Sequence, residues 1–304
     1  ISTRTEPWWG HRNGVHRCLT TPLVAKPGSK FRYSDVNFIL LGELVRRVDG
    51  RSLDQFAAEE IYARLGMDDI GFRPAADRRG RVAPTESLGS YGILLGEVHD
   101  PVSRRMQGVA GHAGLFTSAG DVATFGRAFL EEGGGAVFSR SLVDLMTTQQ
   151  APPAVPVKRG LGWDIDSAFS HPRGETFPVG GFGHTGWTGT SIWVDPGSDT
   201  VVVLMANRNH PTESGKTKDL RRAVGTLAGE AVGLKRRQSR SHPVDSPRQE
   251  GWMVAAGEPD GVIRNGIDVL AANGFAAVDG MTVGLITNHT GIDRDRRSTI
   301  EMLE

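Results

Sequence analysis

Apolar positions along the chain recur with two different periods. From Val36 to Val48 they repeat at helical spacing and stop at Asp49-Gly50, a combination that ends helices. Ser52 and Gln55 form a capping box ahead of a second helical run, SLDQFAAEEIYARLGM. Ser118 and Asp121 open a third, DVATFGRAFLEEG. SLVDLMTTQQ reads as a short helix and KTKDLRRAVGTLAGEAVG as a closing amphipathic one. The strand signal is clearest between Phe182 and Arg208. TSIWV and TVVVLMA are β-branched runs joined by the turn residues Asp195-Pro196-Gly197-Ser198-Asp199. RGLGWDID supplies another strand, and residues 73 to 115 are loop-rich.

Two regions break the pattern. Residues 1–21 show no helical or strand period, and Trp8 and Trp9 sit among Arg and His with no evident packing partner. This atypical segment reads as foreign to the domain beside it, joined by a frame or assembly error. Residues 22–234 form the main domain. Residues 235–257, largely polar, basic and proline-punctuated, read as a linker. In residues 258–304 a helix, GIDVLAANG, precedes a strand, MTVGLITN, and a second helix start, the first step of an α/β domain. The chain begins at Ile1 and ends inside the amphipathic run RSTIEMLE, so it reads as a fragment.

Composition narrows the function classes. Lys+Arg and Asp+Glu both number 35, so no net positive field favours nucleic acid or an anionic membrane surface. No apolar run approaches the roughly 18 residues of a membrane span. Cys18 is the one cysteine, which rules out an intrachain disulfide and a cysteine metal cluster. No metal or cofactor is expected, the expected partner is a small molecule, and nothing indicates the oligomeric state.

Candidate chemistry falls at three places. Phe31-Arg32-Tyr33-Ser34-Asp35-Val36-Asn37-Phe38 is a polar cluster just ahead of a buried helix, in which Asp35 alone reads as an N-cap. Gly111-His112-Ala113-Gly114 reads as a flexible loop with a surface histidine. Gly183-His184-Thr185-Gly186-Trp187-Thr188-Gly189 opens a strand with three glycines, which in strands mark close approach of a ligand or another backbone.

Taken in order, YSD with its following helices, GVAGHAGLFTSAGDVATFGRAFL and GHTGWTGTSIWVDP resemble the serine β-lactamase and penicillin-binding-protein superfamily, closest to its class C and esterase-like branch. The resemblance covers about Pro22 to Gly233 and implies an α+β fold, an antiparallel sheet flanked by helices. It implies acyl transfer through a serine, with Tyr33 as base. His184 replaces the lysine that supports the base and attracts a substrate carboxylate. Thr185 hydrogen-bonds substrate, Gly186 keeps the strand face open, and the Trp187 N–H forms half of an oxyanion hole. Asp35 stands where the family more often has Asn, a charge that repels a carboxylate and raises the pKa of its neighbours. His112 joins the substrate-binding set. A phenol held among cations is expected to lose its proton more readily. The nucleophile element S-x-x-K is missing from all 304 residues, the nearest match being Ser29-Lys30-Phe31-Arg32. The domain therefore reads as N-terminally truncated, and the chain as given is not expected to acylate.

The tail, GVIRNGIDVLAANGFAAVDGMTVGLITNHTGIDRDRRSTIEML, resembles the opening of the DUF1343 domain, whose characterised members are exo-acting N-acetylmuramidases. Asn288 and His289 fall at the C-terminal end of its strand, where α/β folds place ligands. Both resemblances imply a muropeptide or small ester substrate and an extracytoplasmic location.

Overall fold

The computed structural model describes residues 8–130, 137–152, 155 and 157–236. The linker beyond residue 236, the DUF1343-like tail, and Asn288 and His289 lie outside the described residues.

Helix α1 (His11–Leu19) is followed by α2 (Asp35–Asp49), and α3 (Leu53–Ala57) runs through a π-turn (Ala58–Tyr62) into α4 (Ala63–Leu65). Short strands β1 (Gly71–Phe72), β2 (Glu86–Ser87), β3 (Ile93–Leu94) and β4 (Leu115–Phe116) pair antiparallel as β1–β4 and β2–β3, with α5 (Pro101–Arg105) between β3 and β4. Helices α6 (Ala119–Arg127) and α7 (Arg140–Thr147) lead into the main sheet. Its strands are β5 (Lys158–Arg159), β6 (Asp164–Asp166), β7 (Phe182–Thr185), β8 (Ser191–Asp195) and β9 (Thr200–Leu204), and α8 (Lys218–Ala231) follows. The order β5-β6-β7-β8-β9 is antiparallel throughout; short connections join its neighbours except β6 and β7, which residues 167–181 link.

Strand alternation decides what this sheet buries. Val194, with Ile192, faces α6 and α7 and joins Phe129, Phe138, Trp163 and Phe182 in the main core. Trp193 points the opposite way and is also fully buried, so both faces of β8 are covered. Helix α6 sits close because it carries Gly126: a methyl there would fall 2.7 Å from Val201. The Ser52–Gln55 capping box forms, and Ser118 Oγ accepts the Asp121 N–H at 3.2 Å, so two helix starts lie where their capping residues place them.

The N-terminal segment departs from expectation. Residues 11–19 are helical, and Trp8 is buried with Val15, Cys18, Ile39, Met106 and Ala110. Gly14 lies against Met106, and Glu43 of α2 accepts from His11 of α1 at 3.4 Å. The described part of the segment with no readable period is thus packed into the domain rather than appended to it. Among the described residues, no helix is long and apolar enough to cross a membrane.

Candidate active site

Tyr33 lies two residues ahead of α2. Ser34, in extended conformation, is the N-cap, and Asp35 is the first helical residue, correcting its reading as the cap. Its carboxylate there still suits the positive end of the helix. The Tyr33 ring is half exposed, at 50%, and lies 6.3 Å from the His184 ring at an interplanar angle of 28°. Two motifs separated by 151 positions (184 − 33) are therefore stacked.

His184 is held by β7, where it pairs with Ile192 of β8. Its Nδ1 lies 3.1 Å from the carbonyl oxygen of Thr185. A carbonyl only accepts, so Nδ1 carries the proton and Nε2 keeps its lone pair. Burial lowers the His184 pKa, and the positive charge of Arg159 lowers it further. At neutral pH this is an uncharged imidazole with a basic nitrogen, not the part-charged carboxylate attractor inferred from the motif.

The phenol also differs from expectation. Burial raises the Tyr33 pKa, the Asp35 carboxylate raises it further, and Arg159 opposes them without prevailing. Tyr33 is not acidified by surrounding cations. The expected effect of Asp35 on its neighbours does have the expected sign.

Arg159 is the residue that sequence reasoning missed. It sits on β5, and its guanidinium carbon lies 5.0 Å from the Phe31 ring centroid, 5.3 Å from Phe169 and 5.7 Å from Tyr33. Its side chain is 12% exposed and its nearest carboxylate, Asp164 Oδ1, is 3.5 Å from Nη2. Asp164 already accepts from the hydroxyls of Ser167 and Ser170, both at 2.5 Å. The signal available in the sequence was a cation inside the strand run RGLGWDID, but two of the rings around it, Phe31 and Tyr33, come from a distant segment.

The glycines of the opening motif have intramolecular reasons. At Gly183 a methyl would fall 2.2 Å from the Ile192 carbonyl and 2.5 Å from Trp193, so the cross-strand tryptophan requires the gap. At Gly186 it would fall 2.2 Å from Thr190 Oγ1, while Gly186 N–H donates to Thr190 O at 2.8 Å. Gly189 turns the chain at φ 119°. Clearance for a substrate is not needed to explain any of them. Thr185, the last residue of β7, pairs with Ser191. Trp187 projects from the following turn, 64% exposed, with the Arg208 guanidinium 4.9 Å from its ring.

His112 has a different setting from the one expected. Its side chain is 3% exposed and its Nε2 lies 2.8 Å from Asp100 Oδ1. Asp100 in turn caps α5 by accepting the Ser103 N–H at 2.6 Å. This pair braces a loop; it is Tyr33 and His184 that meet. Among the described residues, no group of three His, Cys, Asp or Glu side chains is placed to hold a metal ion.

Comparison with known proteins bears on the family and the fold. The chain is 35% identical over 210 residues to the "Putative D-alanyl-D-alanine carboxypeptidase" of Escherichia coli K12, covering 62% of this chain and 48% of the relative. It is 32% identical over 209 residues to the N-acetylmuramyl-L-alanine amidase of Bacillus subtilis 168, covering 62% and 47%. The chain thus spans about half the length of these curated relatives. The unliganded simvastatin synthase of Aspergillus terreus superposes with a TM-score of 0.54 at 21% identity, over 71% of this chain and 60% of that one, which supports the fold. The beta-lactamase family model matches residues 3–227, taking in α1 as well as the sheet, and on that match the chain belongs to the beta-lactamase family.

Proposed function

We propose that this chain carries the base side of an acyl-serine hydrolase site for muropeptides or small esters, and lacks its nucleophile. The observation that carries this reading is the Tyr33–His184 stack, which joins the two motif residues that acyl transfer requires on that side. The uncharged His184, with its lone pair on Nε2, is suited to receive a proton relayed by the phenol. A wall-derived substrate is supported by the names of the relatives, a carboxypeptidase for D-alanyl-D-alanine and a muramyl amidase. An extracytoplasmic location is part of the same reading. With no S-x-x-K in the 304 residues, the chain binds without acylating unless that element is supplied from outside it.

The missing nucleophile also favours a second reading, a non-catalytic wall-binding module that uses the same residues. Mass spectrometry of the chain with an acyl-D-alanyl-D-alanine peptide and, separately, a fluorophosphonate probe tests the proposal. The expected result is a peptide complex under native spray and no covalent adduct under denaturing conditions. A covalent adduct shows that the chain has its own nucleophile, and absence of any complex removes the Tyr33–His184 pair as a substrate site.

A further inference from the structure

We infer that the groove between α1, α2 and the loop joining α5 to β4 binds a small amphiphilic anion, an oxyanion head on a short apolar chain. The inference is independent of the acyl-transfer reading, because neither Tyr33 nor His184 lines the groove. Two cavities meet there. The smaller, about 160 Å³, has an apolar floor of Ile39, Met106 and Ala110, all buried, with Leu53 and Val109 beside them. The larger, about 430 Å³, is lined by Arg12, His16, Arg46 and Arg47, with Glu43 as its one acid among the described residues. Both are lined by His11 and Arg46, so they follow one another along the face of α2 that carries Ile39, Glu43 and Arg46.

Charge selects the head. Glu43 accepts from Nε and Nη2 of Arg46 and from Nε of Arg47, and His11 Nε2 lies 3.4 Å from it. Three guanidinium groups therefore stand against one carboxylate whose oxygens are already bonded. The side chains of Arg12 and His16 make no hydrogen bond or ion pair among the described residues. The forked donors of arginine match the oxygens of a carboxylate or a phosphate. The apolar floor next to them suits the chain that such a head carries.

The backbone at the apolar end is costly in the way ligand sites are. Among the described residues three non-glycine residues have positive φ, and two of them, Arg73 at 49° and Gln107 at 69°, line the smaller cavity. Gln107 stands just past the end of α5, with the Gly108 N–H donating to Ser103 O, a position where glycine is usual. A side chain is kept there against that preference. Arg73 passes over Gly108 and bonds Asp54 on the same rim, so this pair adds no net charge to the apolar end.

The test titrates hexanoate, hexyl phosphate, acetate and hexylammonium into the 304-residue chain by calorimetry, with methyl NMR of Ile39 and Met106. At least one hexyl anion should bind, at least about tenfold more tightly than acetate, because its methylenes are buried. Hexylammonium should not bind, and the two methyl resonances should move with the hexyl anion and not with acetate. Arg12→Gln and Arg47→Gln change exposed side chains, so both should melt near wild type and each should weaken the hexyl anion about tenfold. If Arg47→Gln loosens the fold, Arg12→Gln decides. Failure of both hexyl anions to bind, or equal binding of hexylammonium, overturns the inference. Binding that leaves both methyls unmoved, or that survives unchanged in the folded variants, places the ligand elsewhere and overturns it too.

Discussion

Nη2 of Arg221 donates to the carbonyl oxygen of Gly186 at 2.6 Å, tying the last helix to the turn that carries Trp187. The same guanidinium reaches Thr190 O at 2.9 Å and, through Nε, Gly189 O at 3.2 Å. One half-buried side chain thereby serves three carbonyls of a glycine-rich turn. Arg221→Met keeps the methylene stem and removes all three donors. It should cost about 2 kcal/mol, since hydrogen bonds to charged groups exceed neutral ones and the carbonyls lose their partner. Urea unfolding followed through tryptophan fluorescence measures the loss. Unchanged stability would show that the turn holds its shape unaided.

The sequence range of the contacts explains which features of this domain were legible beforehand. Val36 to Val48, the two capping residues Ser52 and Ser118, and the β8–β9 hairpin all depend on contacts within a few positions, so period and turn chemistry reveal them. Gly183 was misleading because its reason lies across the sheet. Gly183 is small on account of Trp193, and only the strand register makes that visible. Arg159 was invisible for a similar reason, since Phe31 and Phe169 reach it from segments far apart in the chain. The Tyr33–His184 pairing was recoverable only through the ordered set of motifs, and the electrostatic state of both rings depended on burial that a motif does not encode.

His184 should titrate below the ordinary histidine pKa of about 6.5. Burial is the larger cause and Arg159 the next, so Arg159→Gln should move the value only part of the way back. Between the ordinary pKa and the lowered native one, the unfolded chain binds the extra proton. Stability contributed by this group therefore falls as pH falls through that window. Imidazole NMR titration of wild type and variant reads both effects. A native value at or above the ordinary one would contradict the uncharged His184 of the proposed site.

Glu43 makes a second pH-dependent link, between α1 and α2. Bonds from Arg46 hold its carboxyl at about 2, against an ordinary 4.5, with burial opposing and Arg47 and His11 adding to the depression. Its Oε2 lies 2.7 Å from Arg46 Nε, and its Oε1 lies 2.7 Å from Arg47 Nε. Because the native pKa is lowered, the contribution is present above about 4.5 and is lost as pH falls toward 2. Both arginines are largely exposed, so solvent screening reduces the effect to about 1 kcal/mol. Glu43→Gln should flatten the acid limb of a stability–pH curve by that amount. A limb with the same slope in both proteins would show that the cluster contributes nothing net.

Whether α1 belongs to the domain energetically, as well as by contact, turns on Trp8. Its ring is buried against Val15, Cys18, Ile39, Met106 and Ala110, and the guanidinium carbons of Arg17 and Arg105 lie 5.7 and 5.8 Å from its centre. Its Nε1 is buried without a hydrogen-bond partner, so it loses solvation and gains no bond in return. Two substitutions separate packing from polarity. Trp8→Ala empties the site and should cost about 3 to 5 kcal/mol. Trp8→Phe keeps an aromatic ring while removing the unpartnered N–H, so it should cost less than half as much. Thermal unfolding of the two variants against wild type measures both. If Trp8→Ala melts like wild type, α1 rests on the surface and the domain is held by the core under the sheet alone. If Ala is severe and Phe mild, the segment with no readable period is part of the folding unit, and its few apolar residues suffice because Ile39 and Met106 complete their packing.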